Sequence, residues 1–232
     1  GNLSTFLLSS LIILITGLIL YYPNKNSKND IKTKEGFLIV VAFWFILSIF
    51  GSLPFMLDKQ LTLSFTDAFF ESVSGWTTTG ATIITSLDIL SPSILIYRQE
   101  LQWLGGMGLV ILAIAILPML GVGGNLLYKA ESTGPIKDTK ISPRIAETAQ
   151  SLWSIYLGLT VLCSLFYYFA GMNFFDAVAH GFSTIAIGGF STHDASIGYF
   201  DSYLIEIICI VFMLLSAMNF ILHFHSHHLC KP

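Results

Sequence analysis

Five stretches of this chain are apolar over the length needed to cross a lipid bilayer, and nothing else in the sequence restricts the fold as much. Residues 3–22, 36–57, 101–122, 150–171 and 203–222 qualify. A hydrocarbon core about 30 Å thick takes about 20 residues of helix. The composition supports this reading: 54% of the 232 residues are hydrophobic and 11% are charged, against about 25% charged in soluble domains, with a mean hydropathy of +0.74. A chain this apolar cannot cover a water-facing surface, which excludes a soluble globular domain. A net charge of −3 with no basic face excludes a nucleic-acid module, and three cysteines are too few for a disulfide scaffold. The first stretch has no basic residues before it and no cleavage-like run of small residues after it, so it is expected to be a span rather than a signal peptide. The chain starts at Gly1 without Met, and preceding sequence is expected to be missing.

Two further apolar stretches, roughly 65–76 and 174–186, are too short to cross. Segments of that length enter a membrane and turn back, or lie at its interface. Backbone without helical hydrogen bonds is tolerated at that depth only inside protein or along a wet cavity. These two stretches are therefore the first candidates for function.

Lys and Arg set the orientation. Lys25, Lys28, Lys32 and Lys34 fall in the first loop, Lys129, Lys137, Lys140 and Arg144 in the loop after the third span, and Lys231 in the tail, against Lys59 and Arg98 on the other side. The basic loops and the tail are expected to be cytoplasmic, with both short segments dipping in from outside. Asp58, Asp67, Glu71, Asp88, Asp176, Asp194 and Asp201 would then form an acidic outer face. Such a face either concentrates cations or is a solvated rim.

An offset of 109 residues aligns the chain with itself. It pairs Trp44 with Trp153, Ile46 with Ile155, Leu53 with Leu162, Phe65 with Phe174, Asp67 with Asp176, Ala68 with Ala177, Ser74 with Ser183 and Gly80 with Gly189. The repeating unit is helix, half-helix, extended loop, helix. A half-helix ending at mid-membrane near Trp76 or Ala186 directs the negative end of its dipole there, which favours cations. The loop Thr77-Thr78-Thr79-Gly80-Ala81-Thr82 leaves carbonyls and hydroxyls with no helical partner. Several such loops converging on an axis can replace a cation's hydration shell. A Ser/Thr-rich turn between helices is the plainer alternative.

Several runs closely resemble the TrkH family of Trk-type potassium uptake proteins, within the Trk/Ktr/HKT superfamily of cation transporters. They are Ser74-Gly75-Trp76-Thr77-Thr78-Thr79-Gly80-Ala81-Thr82, Gln102-Trp103-Leu104-Gly105-Gly106-Met107-Gly108, the stretch from Ala113 through Pro118 to Gly124, Pro143-Arg144-Ile145-Ala146-Glu147-Thr148-Ala149, and the run from Thr184 through Gly188-Gly189-Phe190-Ser191 to Asp201. The resemblance covers about residues 5–224 and corresponds to the N-terminal half of the family's chain. It implies an all-α polytopic membrane protein: one leading transmembrane helix, then two of the family's four helix–pore loop–helix repeats of potassium-channel-like architecture. It also implies potassium-binding selectivity-filter residues at Thr78, Thr79, Ile187 and Gly188, with Gly80 and Gly189 as filter glycines. Potassium is the implied cargo, with no organic cofactor and no enzymatic activity. The implied setting is the lipid of a bacterial inner membrane, as a multi-pass homodimer on the cytoplasmic nucleotide-binding subunit TrkA, with no nucleic-acid partner.

The organisation expected is an N-terminal helix and basic loop at 1–35, a first repeat at 36–122, a basic linker at 123–148, a second repeat at 149–222 and a polar tail at 223–232. After Phe224 the sequence departs from the family's pattern, as a frameshift or truncation would produce. A non-conducting structural or regulatory half that needs a partner chain is therefore the alternative function. An intramembrane hydrolase is disfavoured, since no HExxH or GxSxG pattern is present.

Gly105, Gly106 and Gly108 suit close helix packing or a hinge, and Gly121-Val122-Gly123-Gly124 is no phosphate loop because no strand precedes it. His223, His225, His227 and His228 read as a tail or a metal cluster. Cys163 and Cys209 read as small apolar residues, Glu206 as interfacial, and Arg98 and Glu100 as interfacial anchors at the start of the third span.

Overall fold

In the computed structural model, residues 3–25, 33–108 and 145–217 are described. Among these the chain forms helices and no strand: α1 (Leu3–Asn24), α2 (Thr33–Gly51), α3 (Leu53–Leu57), α4 (Phe65–Trp76), α5 (Pro92–Gly106), α6 (Ile145–Phe169), α7 (Phe174–Ile185) and α8 (Tyr203–Ala217). The glycine-rich stretch 121–124, the basic residues from Lys129 to Arg144 and the histidine tail lie outside the described residues.

The helix α1 is inside-out by the standard of a water-soluble protein. Its buried residues are Thr5 and Ser9, while Leu3, Leu7, Leu11, Leu14 and Ile19 are exposed. The Ser9 hydroxyl returns to the Thr5 carbonyl and the Thr16 hydroxyl to the Ile12 carbonyl, each at 2.8 Å, so these polar groups are satisfied within the helix. Helices α1 and α6 are long and apolar enough to cross a membrane.

Two spans differ from the expectation. The stretch 36–57 is not one helix: it breaks at Ser52, and the short α3 restarts with Pro54 in its first turn. Proline lacks the N–H that would continue the α2 ladder. The third span begins at Pro92, nine residues before the expected 101, and its described part ends at Gly108. Proline in the first turn is a favourable helix start. A hydropathy reading excludes residues 92–100 because Arg98, Gln99 and Glu100 lower the average, yet Arg98, Gln99 and Gln102 are fully buried.

Each repeat has its own apolar core. Phe55, Ala68, Ile84, Leu87, Ile94, Leu95 and Leu101 pack under the first. Tyr156, Cys163, Tyr167, Met172, Ala177, Ile185, Ile205, Ile208 and Phe212 pack around the second, joined by Met107 from the first. Helix α5 lies between them. A Cβ on Gly105 would sit 2.0 Å from the Trp76 carbonyl oxygen, and one on Gly106 would sit 2.7 Å from the Tyr156 hydroxyl. The glycines therefore act in close packing, which brings α5 directly against the end of α4. The Trp103 ring stacks on Phe182 at 5.1 Å, and its indole N–H donates to Thr160 at 3.0 Å, anchoring α5 to the second repeat.

Candidate functional site

The two half-helices begin alike. Ser64 caps α4 by accepting the Asp67 N–H, and Asn173 caps α7 by accepting the Asp176 N–H. These pairs are related by the 109-residue offset, and each satisfies one of the N-terminal donors that a helix leaves open.

They also end alike, and the ending shapes the loops. After α4, the Thr78 N–H returns to the Gly75 carbonyl at 3.0 Å and the Thr79 N–H to the Ser74 carbonyl at 3.0 Å. After α7, the Ile187 N–H returns to Thr184 at 3.1 Å and the Gly188 N–H to Ser183 at 2.8 Å. This is the paired hydrogen bonding of a Schellman cap, whose left-handed residue is normally glycine. Here that residue is Thr78 and Ile187, both at φ +53°. A β-branched side chain in this region is strained by about 1–3 kcal/mol. Gly80 and Gly189 follow at φ +76° and +84°.

In a planar trans peptide the N–H and the preceding C=O point in opposite directions. The N–H groups of Thr78 and Thr79 turn back onto α4, so the carbonyls of Thr77 and Thr78 point away from it. The same holds for Ala186 and Ile187 beyond α7. Ile187 is 46% exposed, so this face is open in the chain.

The loops meet. A Cβ on Gly80 would lie 2.1 Å from the Gly188 carbonyl oxygen, so only glycine fits there. That carbonyl also accepts the Gln102 side-chain N–H at 2.7 Å, and the Gln102 amide oxygen accepts the Phe190 N–H at 3.0 Å. The expected site residues thus fall on two adjoining loops. Thr78, Thr79, Ile187 and Gly189 lie along them, and Gly80 touches Gly188 at the crossing.

The hydroxyls are less free than the sequence suggests. Thr77 donates to the Val73 carbonyl at 2.7 Å, its oxygen lies 2.8 Å from that of Thr79, and Thr82 donates to Glu71 at 2.9 Å. Glu71 also takes the Arg98 Nε–H at 2.8 Å, with both side chains 0% exposed. Arg98 continues to the Thr82 hydroxyl at 2.9 Å and to the Ser191 carbonyl of the other loop at 3.1 Å. Its guanidinium lies 4.2 Å from the centre of the Phe190 ring. In the second repeat His180 occupies the place of Glu71 and bonds to Ser191 Oγ through Nε2 at 2.9 Å.

Beyond the second loop, His193 lies between two carboxylates, Asp88 of the first repeat at 2.5 Å and Asp176 of the second at 3.2 Å. Each ring nitrogen thus faces one carboxylate, Nδ1 toward Asp88 and Nε2 toward Asp176. The hydrogen bond from His193 is the main reason the Asp88 carboxyl is held below the usual carboxylate range. The Tyr199 ring stacks on His193 at 3.5 Å.

Some expectations are corrected here. Arg98 is not an interfacial anchor, because its charge is neutralised and hydrogen-bonded inside the protein. Glu71 is not part of an acidic outer face, for the same reason. Asp58 and Asp176 are also buried, the first accepting the backbone N–H groups of Gln60 and Leu61 and the second the Thr192 hydroxyl. The Glu71–Arg98–Thr82 network, His180–Ser191 and Gln102 were missed by reading the sequence. The available signal was a polar residue within each apolar half-helix, eleven positions before a hydroxyl (Glu71 to Thr82, His180 to Ser191), together with Arg98 and Gln102 one helical turn apart.

A model of the TrkH family, described as cation transport protein, matches residues 2–228. The Trk system potassium uptake protein TrkH of Halomonas elongata is 59% identical over 224 residues, which are 97% of this chain and 46% of that protein. TrkH of Escherichia coli K12 is also 59% identical, over 92% of this chain and 44% of its own length, and TrkG of the same strain is 46% identical over 95% and 46%. The crystal structure of the potassium transporter TrkH from Vibrio parahaemolyticus superposes with a TM-score of 0.80 at 53% identity, covering 97% of this chain and 44% of that one. The chain spans less than half the length of the relatives it matches.

Proposed function

The chain belongs to the TrkH family of cation transport proteins, and from that we propose that it lines part of a potassium-conducting pore in a bacterial inner membrane. The observation that carries this reading is the repeated Schellman ending: two half-helices turn their N–H groups inward and the carbonyls of Thr78 and Ile187 outward, on loops in contact with each other. A dehydrated monovalent cation needs such oxygens in place of water, and the C-terminal dipole ends of α4 and α7 favour it. The filter is formed by Thr78, Thr79, Ile187 and Gly188, with Gly80 and Gly189 permitting the backbone. Gly188 contributes through a carbonyl already held by Gln102. The half-helices enter from outside, the tail is cytoplasmic, and the organisation follows repeats at 36–122 and 149–222 with a basic linker at 123–148.

Two loops cannot surround an ion, and their face is open at Ile187. That observation favours the second reading, in which further loops complete the pore and this chain alone does not conduct. A homodimer seated on TrkA belongs to the same proposal.

The test is cysteine accessibility in membranes. Thr78→Cys and Ile187→Cys should react with a membrane-impermeant cationic thiol reagent, and potassium should slow the reaction more than choline does. Both sites remaining unreactive overturns the pore. Potassium uptake in transport-deficient cells then separates the two readings: rescue by the chain alone shows conduction, and rescue only with a completing chain shows a dependent half.

A further inference from the structure

We infer that Arg98 is a positioning residue that sets the separation of the two pore loops, and that discrimination between potassium and sodium depends on this separation. The inference rests on the pore reading and adds to it the residue that holds the filter's geometry.

Helix α5 carries two long polar side chains one turn apart, and both reach across to the loops. From Arg98, Nε donates to Glu71 on the first half-helix, one terminal nitrogen to Thr82 on the first loop, and the other to the Ser191 carbonyl on the second loop. Gln102 holds both Gly188 and Phe190 of the second loop. A planar guanidinium has a fixed fork of donors, so three bonds in three directions fix distances as well as supply attraction. The partners sit on one rigid helix, and this is how a site keeps tolerances of about 0.5 Å.

The second repeat does not share this arrangement. The offset of 109 takes Arg98 to Ile207 and Gln102 to Val211, which are 58% and 46% exposed on α8. The spacing of both loops is therefore controlled from the first repeat's outgoing helix. Stability alone does not require this pair, since a buried ion pair is often replaced by apolar residues without loss. The bond that crosses to a backbone carbonyl of the other repeat is the feature that such a replacement could not reproduce.

The test uses two variants of the whole chain in membrane vesicles. Arg98→Lys keeps the charge beside Glu71 but loses the fork. The double variant Arg98→Met/Glu71→Gln removes both charges and leaves Thr82 a partner. The readouts are abundance, rubidium uptake with potassium and sodium as competitors, and the distance between nitroxides at Thr85→Cys and Ala195→Cys in a background with Cys163, Cys209 and Cys230 changed to Ala. Both variants should accumulate like the parent, broaden the distance distribution, and lower the potassium-over-sodium preference by about tenfold. A purely structural pair would lower abundance and leave the preference unchanged. Variants with unchanged distances and unchanged preference overturn the inference while the pore reading stands. Vesicles of the parent chain, with or without a completing chain, that take up no rubidium even though the distances broaden in the variants overturn the pore reading, and the selectivity role falls with it.

Discussion

At the same depth in the two half-helices, the first repeat carries Glu71 and the second carries His180, and each reaches the residue eleven positions further on, Thr82 and Ser191. The backbones around them match bond for bond, from the capping side chains Ser64 and Asn173 to the left-handed residues Thr78 and Ile187. The side chains at the shared polar position do not match. In the first repeat it is a carboxylate paired with Arg98; in the second it is an imidazole between the Asp176 carbonyl and a hydroxyl. The loop shape is thus set by caps and turns, which tolerate changes of side chain. The way the loops are held is set by the Glu71–Arg98 pair, whose equivalents in the second repeat are His180 and Ile207. The first repeat acts as the frame, and the second is fastened to it through Gln102 and Arg98.

The largest effect should come from breaking that asymmetry. Glu71→Gln leaves the Arg98 charge buried without its counter-charge and should cost about 3–5 kcal/mol. His180→Gln removes neutral hydrogen bonds and should cost about 1–3 kcal/mol. Thermal unfolding of the detergent-solubilised protein measures both. Equal losses would mean that the repeats are held alike and that the frame does not exist.

The glycines sharpen the same contrast. Gly80→Ser places a Cβ against the Gly188 carbonyl in addition to the left-handed strain, for about 2–4 kcal/mol. Gly189→Ser meets nothing within 4 Å and bears only the strain, about 1–2 kcal/mol. Gly80→Ser should also weaken potassium preference in flux assays far more than Gly189→Ser, because it drives the loops apart. Loss of preference to the same extent in both would mean that loop flexibility, rather than spacing, is what matters.

Gly105 offers a smaller effect at the seam between the repeats. Gly105→Ala sets a methyl against the Trp76 carbonyl and should move α5 away from α4, at about 1–3 kcal/mol. Gly198→Ala, with nothing within 4 Å, is the control and should change the midpoint little.

What the sequence shows and what it hides follow from the kind of interaction involved. The half-helix α4 can be read to the residue, and α7 to within one, because apolar length and a cap are local signals. The repeat offset can be read because it preserves Asp67 with Asp176 and Gly80 with Gly189. The start of α5 is hidden, since Arg98 and Gln99 look like the edge of a span until their burial is known. The Arg98 network is hidden for a related reason. Its partners are 27 residues away at Glu71 and 93 residues away at Ser191, and only the folded chain brings them together. The acidic outer face fails in the same way at Glu71, Asp58 and Asp176, where sequence position suggests water and the side chains are buried.

The smallest effect concerns the His193 clamp, where a carboxylate of each repeat meets the ring. Asp88 is held below the usual carboxylate range, first by the His193 hydrogen bond. A carboxyl whose value is depressed on folding stabilises the protein above its unfolded value, about pH 4, and loses that contribution as pH falls through the depressed value. Asp88→Asn should therefore lower the thermal midpoint slightly at pH 6, and the difference from the parent should vanish toward pH 2–3. In a His193→Gln background the pH-dependent effect of Asp88→Asn should shrink, because the largest cause of the depression is gone and only the Asp194 hydrogen bonds remain. A difference that persists at low pH, or that removal of His193 leaves undiminished, would show that Asp88 acts elsewhere and that the repeats are joined only through α5.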